Sequence, residues 1–238
     1  MENKNDTEIS LNIPWKGVLR LALIVPIMLA VLLLSAGKLD WWEAWAYTGA
    51  GFLVLLVSRA LMIWKHPDLA LERSQAHEKE DTKEWDRFLM PFTALYGPFI
   101  SWIIAGLDIR FGWSPNLPNW IQIIALIVIQ LGSLAGSWAM ITNRFFSSQV
   151  RIQTDRGHHV VKNGPYQLVR HPGYAGGLVS WLAAPIFFSS WPLIIPSVIV
   201  MAASVYRTYL EDRTLQEELP GYKEYAEEVK YRLLPGIW

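Results

Sequence analysis

Residues 120–141 read Trp120-Ile-Gln-Ile-Ile-Ala-Leu-Ile-Val-Ile-Gln-Leu-Gly-Ser-Leu-Ala-Gly-Ser-Trp-Ala-Met-Ile141, a run without one charged side chain. A helix needs about 20 mostly apolar residues to cross the hydrocarbon of a bilayer. This stretch therefore decides the class: the chain is expected to live in a membrane. Working outward, further apolar stretches lie at 18–36, 42–64, 88–107, 174–189 and 191–209. The stretch 174–189 is short, covering roughly 24 Å of a hydrocarbon core roughly 30 Å thick. It holds Pro185 and runs into Ser189-Ser190-Trp191-Pro192. It and 191–209 read as a tight helical hairpin. The first stretch is not expected to be a signal peptide: it is too long, and no small-residue cleavage site follows it. The expected fold class is all-α, a polytopic membrane helix bundle of about six transmembrane helices.

Composition agrees. The 238 residues are 52% hydrophobic and 18% charged, against about 25% charged in soluble domains. Lys+Arg and Asp+Glu both number 21, so no basic face speaks for nucleic acid. The absence of Cys excludes thiol catalysis, thiolate metal sites and disulfides. If the six stretches alternate across the bilayer, 19 of the 21 cations fall on one side. Only Lys38 and Arg110 fall on the other. Positive charge marks the cytoplasmic face, so both termini are expected there. Trp15, Trp41, Trp42, Trp64, Trp120 and Trp191 fall near the expected span ends, where interfacial aromatics belong.

The chain divides at residue 142. Residues 1–141 hold the first four expected spans, after a polar and loose stretch at 1–12 and with a charged connection of helical character at 66–86. Gly132-x-x-x-Gly136 in span four is a small-residue face for close helix packing, expected within the bundle. Residues 142–238 carry the functional side chains. The stretch 142–174 is polar, β-branched and turn-rich, and includes Gly164-Pro165. Pro172 suits a first helical position, so span five should begin there with His171 at its mouth. Free N–H groups at that point favour an anion. Further on, Arg207 and Glu211 are four apart, on one helix face at the membrane edge. Ionisable groups emerging from an apolar helix are often functional. The tail beyond Leu219-Pro220-Gly221-Tyr222 is expected to fold back as a lid.

Taken in order, these motifs resemble a known family. Gly164-Pro-Tyr166, Arg170-His171-Pro172-x-Tyr174-x-Gly176, Arg207-x-x-x-Glu211-Asp212, Tyr222-x-x-Tyr225 and Arg232-x-x-Pro235 are similar to the isoprenylcysteine carboxyl methyltransferases and their bacterial relatives. His66-Pro67-Asp68-Leu-Ala-Leu-Glu72-Arg73 and Phe146-Ser147-Ser148 look like the bacterial branch. The resemblance implies an integral membrane enzyme, in a bacterial inner membrane, whose cytoplasmic C-terminal region binds S-adenosylmethionine. It implies that His158, His159, Val160 and Val161 line the cofactor, together with Tyr166 and the tetrad His171-Pro172-Gly173-Tyr174. Glu211 matches a cofactor-binding carboxylate, and Arg151 falls at another cofactor contact that is usually an amide. Arg207 matches the position that contacts the acceptor, and is the expected catalytic and substrate-binding residue. Asp212 stands where many relatives have Glu, and the Leu219–Tyr222 turn replaces the usual Phe-Gly.

These residue types suit methyl transfer. Glu211 can hold an ammonium or ribose hydroxyls, and helix N–H groups can receive a carboxylate. Tyr166 and Tyr174 can stack or hydrogen-bond. A carboxylate acceptor needs alignment and no general base. An amine acceptor needs proton removal, with Glu211, Asp212, His158 or His159 as candidates. The expected partners are the bilayer and a lipophilic or prenylated substrate, with no metal and no nucleic acid. Three alternatives stay open: a phospholipid-amine or small-thiol methyltransferase of the same fold, an NADPH-dependent membrane sterol or enone reductase, and a non-enzymatic membrane protein such as a small transporter.

Overall fold

Prolines, glycines and tryptophans bound the apolar runs, and the runs become helices: α1 (Trp15–Ala36), α2 (Trp42–Lys65), α3 (Pro67–Gln75), α4 (Asp86–Phe111), α5 (Asn119–Thr142), α6 (Pro172–Phe187), α7 (Ile194–Glu218) and α8 (Tyr222–Glu228). The structure is a computed structural model that describes residues 15–75, 79 and 81–238, with side chains from residue 23 onward. The polar stretch 1–12 lies outside the described residues with Lys4, as do the side chains of Trp15, Lys16 and Arg20. No strand occurs among the described residues.

Pro67 and Pro172 open α3 and α6, where a preset φ helps and the missing N–H is not needed. Within α4 the ladder slips into a π-helical turn at Phe92–Tyr96. It follows directly on Pro91, which has no N–H to continue the α pattern.

Among the described residues three helices, α2, α4 and α5, are long and apolar enough to cross a membrane. The described parts of the other three expected spans do not meet that measure. The described apolar part of α1, Leu23–Ala36, is shorter. Helix α6 has 16 residues. Helix α7 has 25 residues, but its last three turns carry Arg207, Glu211, Asp212 and Arg213. The turn at 188–193 joins α6 to α7, with Ser189 at a positive φ of 52° and the two helices packed together, so the expected hairpin is present.

Small residues set the packing. A Cβ at Gly132 would strike the Gly176 carbonyl and the Ser180 side chain, so α5 and α6 touch backbone to backbone. Ser180 Oγ reinforces the crossing by donating to the Ile129 carbonyl at 3.0 Å. This small-residue face is used inside the bundle. Beside it, Leu32, Ala105, Ile129, Phe187 and Leu193 form the apolar core. Trp41 corrects one expectation. It is 1% exposed and lies 5.6 Å from the Phe188 ring, a core residue and not an interfacial one. Trp42, Trp64, Trp120 and Trp191 are exposed as expected.

Candidate active site

At the polar end of the bundle, the loop 143–171 meets the first turn of α6, the end of α7 and α8 around a cavity of about 300 Å³. Arg151, His158, His159, Val160, Val161, Tyr166, His171, Pro172, Gly173, Tyr174, Arg207 and Glu211 all line it. The two distant stretches make direct contact: the Tyr174 hydroxyl donates to Glu211 Oε2 at 2.6 Å. The Arg207 guanidinium lies 5.5 Å from the Tyr174 ring centroid.

Asp212, next to Glu211, faces the other way and is 0% exposed. Arg170 grips it with two bonds, of 2.7 and 3.0 Å. Arg232 and Gln216 each donate at 2.7 Å. His171 Nε2 lies 3.1 Å away, and the Tyr222 hydroxyl donates at 3.2 Å. Burial alone would raise this carboxyl, but the bonds from His171, Arg170 and Arg232 hold it well below the usual carboxylate range. The cluster fastens the tail over the loop. The main-chain N–H groups of Arg170 and His171 donate to the Tyr231 and Arg232 carbonyls, each at 2.9 Å. The Tyr225 hydroxyl donates to the Tyr166 carbonyl at 2.6 Å. The turn before α8 needs Gly221, whose φ is 82°. The tail therefore covers the loop as expected, and its anchor is Asp212.

Arg207 and Glu211 share a helix face but do not pair with each other. Arg207 is held by Asp86 of α4, with bonds of 2.6 and 3.0 Å, and donates to the Ser148 carbonyl at 2.9 Å. Asp86 is 0% exposed and also accepts the Val150 N–H at 2.7 Å. The sequence reading missed Asp86 as a site residue. Its signal was available: an acid in the first turn of an apolar helix needs a partner.

Arg151 lines the cavity, but its donors point elsewhere. Glu72 takes two bonds of 2.9 Å, Asp81 one of 2.8 Å, and Asp155 two of 3.0 and 3.1 Å. Burial works against its charge, yet these carboxylates outweigh burial and raise its pKa. Arg151 ties α3 to the loop, and a guanidinium so fully engaged has no donor left for a ligand.

His158 rests on the Phe145 ring at 4.7 Å, and its Nδ1 accepts the Gln153 N–H at 3.3 Å. Burial first, then the neighbouring His159, Arg156 and Arg151, lowers its pKa to about 4. Beyond it, no hydrogen bond reaches the main-chain N–H and C=O groups of His159, Val160 and Val161 among the described residues. Such groups seek partners, so an edge of main-chain donors and acceptors without partners among the described residues lines the cavity. Among the described residues, no group of three or more His, Asp or Glu side chains is arranged to hold a metal.

Residues 123–217 match the isoprenylcysteine carboxyl methyltransferase family. Protein-S-isoprenylcysteine O-methyltransferase B of Arabidopsis thaliana is 31% identical over 117 residues, covering 46% of this chain and 57% of the plant protein. Its A counterpart is 29% identical over the same shares. A probable protein-S-isoprenylcysteine O-methyltransferase of Oryza sativa subsp. indica is 27% identical, with 59% of its length covered. The chain thus spans a little over half the length of the curated relatives it matches. Through residues 123–217, which run from α5 to the last turn of α7, the chain is similar to the isoprenylcysteine carboxyl methyltransferase family.

Proposed function

We propose that this chain is an integral membrane methyltransferase that uses S-adenosylmethionine and methylates the carboxylate of a lipophilic, isoprenylcysteine-like acceptor. Six spans, with both termini and the cavity on the cytoplasmic side, fit the distribution of Lys and Arg. One observation carries the reading: the cavity joins Glu211, Tyr174, the free edge at 159–161 and the start of α6. That donor set suits the cofactor. Glu211 is placed for an ammonium or ribose hydroxyls, and the free edge for the rim of a base. The unbonded N–H groups at the start of α6 are placed for a carboxylate.

When bound, S-adenosylmethionine supplies an electrophilic methyl group: an acceptor oxygen forms the new O–C bond, the S–C bond breaks, its electron pair stays on sulfur, and no proton moves. The chain's own residues bind, orient and exclude water. Arg207, braced by Asp86, presents a planar cation beside Tyr174. Asp212 and the tail close the cavity on one side. On the opposite side, Gly173 borders an apolar groove of about 500 Å³ that Phe52, Trp102, Ile129 and Trp181 help to line, and this groove suits a lipid tail.

The side chains disfavour an acceptor that needs a base. Asp212 is fully engaged, and His158 is neutral with its Nδ1 occupied. Glu211 already accepts from Tyr174. Calorimetric titration of the detergent-solubilised chain with S-adenosylhomocysteine and with NADPH tests the cofactor. S-adenosylhomocysteine is expected to bind, and Glu211→Gln to weaken it by about 10- to 100-fold, the loss of one charge-assisted contact. Binding of NADPH alone would overturn the reading in favour of a reductase.

A further inference from the structure

Among the described residues, two half-buried arginines near the cavity lack the carboxylate partner that Arg151, Arg170 and Arg207 have. Arg73, from α3, donates to the Phe146 carbonyl at 2.9 Å and lies 5.8 Å from the Phe146 ring centroid. Arg59, from α2, turns inward to the Met140 sulfur at 3.0 Å, and its buried Nε has no partner. It does not reach out to the membrane surface as a long cation near a helix end ordinarily does. Among the described residues no carboxylate pairs with either. By contrast, Arg207 has Asp86, Arg170 has Asp212 and Arg151 has Glu72.

Their location is specific. Arg59 and Arg73 line a small cavity together with Phe146 and Gly173. That cavity shares Arg73, Phe146 and Gly173 with the candidate active site. It shares Leu55, Gly136 and Gly173 with the apolar groove. The two cations therefore form a collar at the junction between a polar chamber and a lipid-like one. Cations sharing a partly buried site repel each other, and the Arg73 pKa is lowered by burial, Arg59 and Arg207. Only an anion relieves that repulsion.

We infer that Arg73 and Arg59 are the recognition site for a carboxylate at the head of a lipid-tailed acceptor, with the tail in the apolar groove and the head turned to the cofactor chamber. The inference rests on the methyltransferase reading for its reaction, but not for its binding. Both arginines lie outside the family-matched residues 123–217, so α2 and α3 would supply acceptor choice while the matched part supplies the cofactor site. The planar guanidinium of Arg73 suits a carboxylate better than a point charge does.

The test is direct binding to the full chain in detergent. The probes are N-acetyl-S-farnesylcysteine, its carboxamide and a long-chain fatty acid. Wild type is expected to prefer the farnesylcysteine carboxylate to the carboxamide by about 30-fold or more, as a charge-assisted bond implies. Arg73→Gln should remove that preference while S-adenosylhomocysteine affinity stays unchanged. Arg73→Lys should retain part of it, and Arg59→Gln should reduce it less than Arg73→Gln. A fatty acid bound as tightly supports the collar and identifies a bare carboxylate as sufficient, whereas a weakly bound one supports it and places the choice in the prenylcysteine body. Equal binding of carboxylate and carboxamide by wild type, which needs no variant to fold, overturns the inference. So does an Arg73→Gln loss that is the same for both probes, since that marks a structural role. Failure of wild type to bind S-adenosylhomocysteine overturns the methyltransferase reading separately.

Discussion

The two sides of the cavity treat charge in opposite ways. On the tail side, Asp212 is buried and takes bonds from Arg170, Arg232, Gln216 and Tyr222. On the α2–α3 side, Arg73 and Arg59 are drawn inward with carbonyl, ring and sulfur contacts and no carboxylate among the described residues. A saturated buried charge holds structure together, and its loss is costly because its partners are stranded. An unsatisfied charge at the meeting point of two cavities adds little to the fold and leaves attraction in hand for a ligand. The contrast separates what builds the site from what selects for it.

The sharpest way to break this contrast is Asp212→Asn. It strands Arg170 and Arg232, and is expected to destabilise the protein by about 3–5 kcal/mol, read by thermal unfolding in detergent. A loss under 1 kcal/mol would mean that the tail is not anchored there. Next comes Asp86→Asn, which moves Arg207 from the paired group to the unpaired one. Stability should fall by about 2–3 kcal/mol, while affinity for lipid-tailed carboxylates rises. A fall in both would show that Arg207 is useful only when braced.

The third effect is acid lability. His158 titrates near 4 when folded and near 6.5 when unfolded. Its stabilising contribution is therefore present above pH 6.5 and is lost as pH falls toward 4, by about 2–3 kcal/mol. His158→Asn should flatten the unfolding profile in that window, and an unchanged slope would place the lability elsewhere. The smallest effect is Gly173→Ala. Its Cβ would come within 2.8 Å of the Phe146 ring, so the ring must shift at the junction of the cavities. A stability loss of about 1 kcal/mol should accompany weaker acceptor binding, read by titration with the farnesylcysteine carboxylate.

Much of the site was legible because its chemistry is local in sequence. Pro172 after His171 sets where α6 starts, and the four-residue spacing of Arg207 and Glu211 puts both on one face. The role of Arg151 was not legible. Its carboxylate partners Glu72 and Asp81 lie about 70–80 residues away, and no periodicity links such positions. Trp41 and Trp42 are adjacent and alike on paper, yet Trp41 is the extended residue before α2 and Trp42 its first helical residue, and one is buried while the other is exposed. Hydropathy alone does not measure helix length: α6 is apolar but has 16 residues.

By itself, the sequence determined a helical membrane class and the identity of the cavity's wall. Apolar runs, prolines and short-range spacing act over one or two helical turns, so they can be read along the chain. Which charges cancel was decided only in three dimensions. Asp86 meets Arg207 across 121 positions, Asp212 gathers the tail and the loop, and Arg73 is left without a carboxylate among the described residues. Pairing depends on which helices are neighbours, and that is set by close contacts such as Gly132 against Gly176, which no local pattern encodes.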